Sequence, residues 1–472
     1  MSNRQFGEGM QSKRALCAYT VLILVLLGSF STHAKGQVDN YALTGTIVTP
    51  RGVVPNGTML IAHGVIQGLG ADIPIPKSFV VVKTDGVIFP GLIDLHNHLT
   101  WNIFPRWSPG PAVGNRYDWQ AMKDYSAKLS NPQGLMVDRG LGCEMERYAE
   151  VKALFGGATS VVGSFGPTPA DSKRNECDRG LARNLDFISG LYSSDLNAEP
   201  LEYDVFPFEI PYSKLQGIRD AMNSGKLKSL LIHVSEGKDA SAAREFRMLK
   251  AIGLLRPGVT VIHGVALQGP QLLEMAGNGV GLVWSPRSNF SLYDATVDIA
   301  SAKNAGIVIA IAPDWSPSGS SGMLEEIRYA YKWNLVQSPK PLEDSDFLKM
   351  ATSNAARLSA TDDKIGVLAV GMAADVIVLP KRGESPAMAL LDAQPGNIEL
   401  VVVGGRPLLG SPDLMRQLVP ESKLEALKVC NFERRLNIRD DTGGESWSEI
   451  EARLTAELQK MQIALSGLAD CQ

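Results

Sequence analysis

The chain has 472 residues, 44% hydrophobic and 20% charged, a balance that suits a globular enzyme with a large core, built as one decorated barrel or as two to three domains. Its net charge of -4 and pI near 6.0 provide no basic field. Aromatic residues make up only 7%, so neither electrostatics nor base stacking argues for a nucleic-acid partner.

Lys13 and Arg14 precede an apolar run over residues 15–30, and Thr32-His-Ala34 follows it. A basic start, an apolar stretch and a small-x-small cleavage pattern predict a secretory signal over 1–34, hence an exported protein, periplasmic or secreted. The run is short for a bilayer-spanning helix, so membrane association is expected only if this segment stays uncleaved. Apart from Cys17 inside it, the chain has Cys143, Cys177, Cys430 and Cys471, an even set that an oxidising compartment permits to form two bridges. Sequence order suggests 143–177 and 430–471, with three connectivities open. None of these cysteines lies beside a histidine of the clusters below, which argues against a catalytic thiol.

Residues 41–48, 58–62 and 79–83 are short β-rich runs separated by Gly, Pro and Asn. They predict a small antiparallel sheet within 35–87. From 88 to 360, strands at 158–162, 229–233, 259–263, 280–284 and 307–311 alternate with helical stretches at 240–252, 271–276 and 323–334, the order of parallel βαβ units. The later strands begin 30, 21 and 27 residues apart (259 − 229, 280 − 259, 307 − 280), a rhythm close to the roughly 31 residues per unit of an eightfold barrel, with one tight unit. Residues 361–411 return to β runs that pair most simply with the N-terminal ones, and 412–472 alternate apolar and charged positions at helical spacing. The expected fold class is α/β: a (β/α)8 TIM barrel, a small β-sandwich from N- and C-terminal segments, and a C-terminal helical extension.

The six histidines are His33, His63, His96, His98, His233 and His263. Four of them end an apolar β run or directly follow one, and strand C-termini of a parallel barrel open onto one face. His96 and His98, spaced i, i+2, project from the same side of an extended segment, the geometry two nitrogens need to share a metal. His233 is followed three residues on by Glu236, a carboxylate placed for general acid/base work over a metal-held water. His263, one βα unit later, either ligates the metal or hydrogen-bonds a hydroxide or leaving group. Asp314 ends the series; a carboxylate at an apolar strand end is costly unless paired or metal-bound, which points to a ligand. His63 reads as structural, and His33 lies beside the cleavage pattern.

Trp101, Trp284 and Trp315 adjoin these residues and are either packing or the walls of an apolar pocket. Ser285, Arg287 and Asn289 are candidates for holding polar atoms of a substrate, although Ser-Pro-Arg is equally a turn.

Pro90-Gly-Leu-Ile-Asp-Leu-His-Asn-His98 closely resembles the metal-binding opening of the amidohydrolase superfamily, and the likeness runs over about 41 to 410. Thr352-Ser-Asn-Ala-Ala-Arg-Leu358 and Gly371-Met-Ala-Ala-Asp375 look like that family's return from barrel to sandwich. His233-Val-Ser-Glu236, Ser285-Pro-Arg-Ser-Asn289 and Asp314-Trp resemble its cytosine/guanine deaminase and triazine hydrolase branch. The resemblance implies one divalent metal ion, zinc first and iron second, held by His96, His98, His233 and Asp314. Glu236 would shuttle a proton, and His263 would hold the attacking hydroxide or the polarised substrate atom. The binuclear branches carry a bridging lysine on a fourth strand; the segment at 203–209 offers only acids. The expected activity is hydrolysis of a non-peptide C–N bond in a small molecule, by cyclic-amide or amidine opening or by heterocycle deamination, through a metal-bound hydroxide. The alternatives are an exported dipeptidase of the same superfamily and a non-catalytic ligand-binding relative. A homo-oligomer stays open.

Overall fold

The computed structural model describes residues 38–164, 180–186, 201–204, 208–209, 211–383 and 385–471, and their strands fall into three sheets. The expected signal segment and Cys177 lie outside these residues. The N-terminal part contributes β1 (Asn40–Thr49), β2 (Gly52–Ala62), β3 (Val65–Gly70) and β4 (Val80–Pro90). Eight short strands follow: β5 (Leu92–Asp94), β6 (Ala158–Val161), β7 (Arg183–Asn184), β8 (Leu201–Asp204), β9 (Ser229–Val234), β10 (Val259–His263), β11 (Gly281–Trp284) and β12 (Ile309–Ile311). The C-terminal part adds β13 (Val376–Leu379), β14 (Leu400–Val403), β15 (Arg406–Gly410), β16 (Glu425–Val429) and β17 (Phe432–Leu436).

N- and C-terminal strands merge into one nine-stranded sheet, ordered β16-β17-β15-β14-β13-β4-β1-β2-β3. Its two faces bury alternate residues, as the period of two requires. Val376, Val378, Leu400 and Val402 join one apolar cluster, while Ile377, Leu379, Val401 and Val403 join the cluster shared with the helices. Two expectations are corrected here. The N-terminal strands are not purely antiparallel, since β1 pairs with β4 in parallel. The segment 412–472 is not purely helical either: β16 and β17 form a hairpin on the edge of this sheet, next to helices Pro412–Leu418 and Trp447–Gln459. Helical spacing misread them because Ala426, Leu427 and Val429 lie among charged residues as on one side of a helix, whereas in the structure Glu425–Val429 alternates exposure residue by residue, as a strand does.

The eight short strands are all parallel, in two arcs: β5-β6-β7 and β8-β9-β10-β11-β12. The strands β9, β10, β11 and β12 are buried at every position, the signature of strands covered on both faces. A parallel bridge between Asn97 and Asp314 joins the chain after β5 to the chain after β12, and Asp314 N–H donates to His96 O at 2.9 Å. One apolar cluster draws Ile93, Leu95, Val162, Leu185, Leu201, Leu231, Ile262, Val283 and Ala310 from these eight strands or the residues just after them. Gly91 lets β4 run directly into β5, because a Cβ there would lie 2.1 Å from Thr159 Oγ1.

Helices cover the arcs at the expected places, with Ala240–Ala251, Gly269–Gly277 and Met323–Leu335 following β9, β10 and β12. Asp239 caps the first of them by accepting from Ser241 N and Ala242 N, satisfying donors that otherwise have no partner. Cys430 and Cys471 form the expected disulfide. Cys143 is also disulfide-bonded.

Candidate metal centre

The parallel strands end at a common point, and the six residues singled out for chemistry gather there. His96 and His98 follow β5, His233 belongs to β9 with Glu236 just beyond it, His263 ends β10, and Asp314 follows β12. His263 (φ 68) and Asp314 (φ 71) adopt the left-handed region, as does Ser235 (φ 57) between His233 and Glu236. Side-chain-bearing residues enter this region at a cost of order 1–3 kcal/mol, sustained where a site over-determines them. Gly237 (φ 131) completes the turn: a Cβ there would lie 2.4 Å from Gly114 O, so only glycine lets the 114–116 segment close over Glu236.

Three histidines and one carboxylate converge. His96 Nε2 lies 3.0 Å from His233 Nε2 and 3.1 Å from Asp314 Oδ1, and His98 Nε2 lies 3.2 Å from the same oxygen. Nitrogen and oxygen donors of His96, His98 and His233, of His96, His263 and Asp314, and of His233, Glu236 and His263 form three groups, each lying within 4.8 Å. Burial pulls His96 down to about 4, against the attraction of Asp314, and pulls His233 well below its ordinary value. Burial alone would raise Asp314, but His96, with hydrogen bonds from His96 and His98, outweighs it and holds the carboxyl well below the usual carboxylate range. Imidazole nitrogens of His96 and His233 that burial keeps from protonation, beside an ionised carboxylate and facing each other at 3.0 Å, are donors of the kind a divalent cation of the zinc type takes. The donor set therefore fits a metal.

The outer ring nitrogens are held in turn. His96 Nδ1 meets Ser285 Oγ at 2.7 Å, and His263 Nδ1 meets Asn289 Oδ1 at 2.7 Å. Asn289 Nδ2 donates to Thr296 Oγ1 at 3.1 Å, so the amide is tied at both ends and holds the His263 ring with Nε2 toward Glu236. Asp314 Oδ2 accepts from Ser288 Oγ at 2.5 Å. Glu236 Oε1 accepts from Tyr293 OH at 2.6 Å and lies 3.7 Å from His263 Nε2, while Arg116 Nη1 stands 3.9 Å from Oε2. Arg116 is fully buried and also pairs with Glu245, at 2.9 Å. One helix, Pro286–Tyr293, thus supplies Ser288, Asn289 and Tyr293 to three different site residues. Such supports fix the orientation of ligands and of acid/base groups.

A cavity of about 160 Å³ opens over the centre, lined by His98, His233, Glu236, His263 and Asp314 below and by Trp101, Trp119, Tyr125 and Trp315 around. Trp101 and Tyr125 stack at 6.2 Å and 13°, and Trp119 sits edge-on to Tyr125 at 5.0 Å. The indole N–H of Trp119 is spent on Tyr293 OH and that of Trp315 on Ser318 Oγ, so both give the cavity apolar surface.

Trp101 and Trp315 therefore line the cavity as expected of pocket walls, but Trp284 does not. It is fully buried, packs on Trp333 and donates to Thr296 Oγ1. Ser285, Arg287 and Asn289, the candidates for substrate contact, are absent from the cavity lining. Ser285 and Asn289 face inward because a buried imidazole needs its second nitrogen paired; Arg287 pairs with Glu325 and Asp470 at 3.3 Å each. Sequence reasoning missed Trp119, Tyr125, Tyr293 and Arg116. The aromatic-rich run from Trp101 to Tyr117 was the signal for the wall, and it extends to Tyr125. His63 sits exposed in the turn between β2 and β3.

Residues 221–408 match the model of the amidohydrolase family. Over 408 residues the chain is 25% identical to a 5-methylthioadenosine/S-adenosylhomocysteine deaminase of Desulfitobacterium hafniense, covering 78% of this chain and 91% of that one. Triazine hydrolase from Arthrobacter aurescens is similar in structure, with a TM-score of 0.68 at 18% identity over 89% of this chain and 99% of the other. An adenosine deaminase from Xanthomonas campestris, with bound zinc, gives a TM-score of 0.63 at 16% identity over 91% and 100%. The two structural likenesses establish a shared fold.

Proposed function

From the match of residues 221–408 to the amidohydrolase-family model, we propose that the chain hydrolyses a non-peptide C–N bond of a small molecule at a single zinc ion held by His96, His98, His233 and Asp314. The observation that carries this reading is the convergence of those four side chains beneath a cavity into which Glu236 and His263 also face. A divalent cation in that position supplies Lewis acidity, bringing the ionisation of water near neutral pH. Glu236, steadied by Tyr293 and Arg116, takes a proton on the cavity side and returns it to the leaving nitrogen. His263, with Nδ1 committed to Asn289, presents Nε2 to the reacting centre. Trp101, Trp119, Tyr125 and Trp315 exclude water and press against a flat, apolar substrate face.

Within this class the reading favours deamination of a heterocycle, in keeping with the adenosine-type substrate named for the sequence relative and with the aromatic wall. The two parallel arcs fit one closed (β/α)8 barrel whose strand ends carry the site, supported by the Asn97–Asp314 bridge and the shared interior cluster. Export is the localisation we favour, supported by the Cys430–Cys471 disulfide. Among the described residues no helix is long and apolar enough to cross a membrane. The dipeptidase and binder alternatives gain no support from the relatives.

The test is a substrate panel on zinc-reconstituted protein: adenosine-type nucleosides, purines, pyrimidines, pterins, hydantoins and acyl dipeptides. Ammonia release or ring opening from a heterocycle is expected. Turnover of dipeptides alone would overturn the reading.

A further inference from the structure

Residues 463–471 contain neither helix nor strand, yet they are tied down along their length. Ser466 N–H donates to Ile103 O at 2.8 Å, and Tyr148 OH donates to Ser466 O. Lys152 Nζ, buried, donates both to Ser466 Oγ at 2.9 Å and to Asn102 O at 3.1 Å. Ile463, Leu465 and Leu468 pack against the main core. Asp470 receives Arg106 Nε at 2.9 Å, Arg287 Nη2 at 3.3 Å and Ser321 Oγ at 3.3 Å. The next residue, Cys471, is bonded to Cys430, in the turn between β16 and β17.

What these contacts hold is the cavity wall. Asn102, Ile103 and Arg106 belong to the loop that leaves Trp101. Arg106 Nη1 also donates to Gly319 O at 2.6 Å, and Trp107 N–H to Pro317 O at 2.8 Å, which fastens that loop to the one carrying Trp315. Arg287 lies in the first turn of the helix Pro286–Tyr293, whose side chains steady Asp314, His263 and Glu236. Asp470 therefore bridges two cations on the two elements that shape the pocket. Without its charge, Arg106 and Arg287 share only Glu325 among the described residues, at 4.0 and 3.3 Å, and like charges on neighbouring elements push them apart.

We propose that residues 463–471 are a clamp on the substrate pocket, with Asp470 as its positioning residue and the Cys430–Cys471 bond as its latch. The clamp rests on the reading that this cavity is the active site. Asp470 touches neither the cavity nor the metal ligands, so it acts on how well the wall receives substrate and leaves the chemical step alone. The pair is partly exposed, so the effect of one charge is modest, whereas opening the latch frees the whole segment.

The experiment compares full-length, zinc-loaded wild type with Asp470→Asn, Asp470→Glu and the paired Cys430→Ser/Cys471→Ser variant. It reads KM, kcat, zinc content and acrylamide quenching of tryptophan fluorescence. Asp470→Asn is expected to raise KM about fivefold, leave kcat and zinc content as in wild type, and increase quenching. Asp470→Glu should recover most of the loss, and the paired serine variant should move in the same direction by more. Unchanged KM and quenching in Asp470→Asn would overturn the clamp, as would a loss confined to kcat or accompanied by loss of zinc. If wild type is inert on every substrate while quenching still rises in Asp470→Asn, the clamp stands and the hydrolase reading falls.

Discussion

Tyr293 and Glu236 stand 57 positions apart in sequence, and the phenol of the first donates a 2.6 Å hydrogen bond to Oε1 of the second. The same phenol oxygen accepts the indole N–H of Trp119 at 2.8 Å, which links Glu236 to the cavity wall. Burial and the neighbouring Glu236 hold the Tyr293 phenol well above its ordinary pKa, so it remains a donor across the working range of pH. Tyr293→Phe removes that donor and strands the Trp119 N–H. A hydrogen bond to a charged acceptor is worth about 1.5–3 kcal/mol, so kcat should fall by about tenfold to a hundredfold. Zinc content should match wild type; steady-state kinetics with metal analysis checks both.

The proposed metal-binding and proton-transfer roles fall on side chains with different hydrogen-bond partners. Asp314 Oδ1 faces both His96 and His98, whereas Glu236 faces Tyr293 and His263. Asp314→Asn should lose zinc and activity together, because an amide neither neutralises the cation nor offers the same donor. Glu236→Gln should keep zinc at the wild-type ratio while kcat falls by about 10²–10⁴, the usual worth of general acid–base catalysis. Elemental analysis alongside turnover distinguishes them. Normal turnover by Glu236→Gln would remove it from the mechanism.

The candidate metal residues were legible in type because such chemistry leaves a local imprint, His-x-His at a strand end and lone His or Asp residues closing apolar runs; the resemblance, not that imprint, set His233 apart from His263 as a ligand. The supports were not legible. Ser285, Arg287 and Asn289 read as substrate contacts because a polar cluster beside a strand end looks the same whether it faces a ligand or a buried imidazole. Only the fold turns Ser285 to His96 and Asn289 to His263. Trp119 and Tyr125 lie in short helical turns, Arg116–Gln120 and Lys123–Tyr125, too brief for a period to mark an inward face. The β16–β17 hairpin was hidden because Arg434 is buried on it, donating to Ile398 O at 2.8 Å and to Gly396 O at 2.6 Å, where a strand pattern would place an apolar residue.

The wall itself yields a prediction about affinity. Trp119 packs against Tyr125 and Trp315, at 5.0 and 5.9 Å between ring centroids, and lines the cavity without offering it a polar atom. Trp119→Phe keeps an aromatic face and empties space beside Tyr293. It should raise KM for a heterocyclic substrate by about threefold to tenfold, in line with the ~0.5–1.5 kcal/mol of an aromatic contact. Trp284→Phe, behind the centre, should cost thermal stability first, through Thr296 and Trp333. Kinetics and melting curves on the two variants separate wall from core.

Lys152 gives the pH dependence of folding a distinctive sign. Burial pushes its ammonium down to about 7, against the attraction of Asp470 and Glu325. In the unfolded chain the group titrates near its ordinary value of 10.5. Between these two values the unfolded state holds more protons on this group than the folded one, so the contribution of Lys152 to stability rises with pH across the window and is lost as pH falls toward 7. The slope has a ceiling of about 1.4 kcal/mol per pH unit, and below the folded value the penalty is constant. Lys152→Met should lower the slope of stability against pH between pH 7 and 9, relative to wild type, while retaining the packing of the side-chain stem. Urea denaturation of wild type and variant at pH 7, 8 and 9 tests this. Equal slopes would show that the buried ammonium stays protonated throughout, held by Asn102 O and Ser466 Oγ.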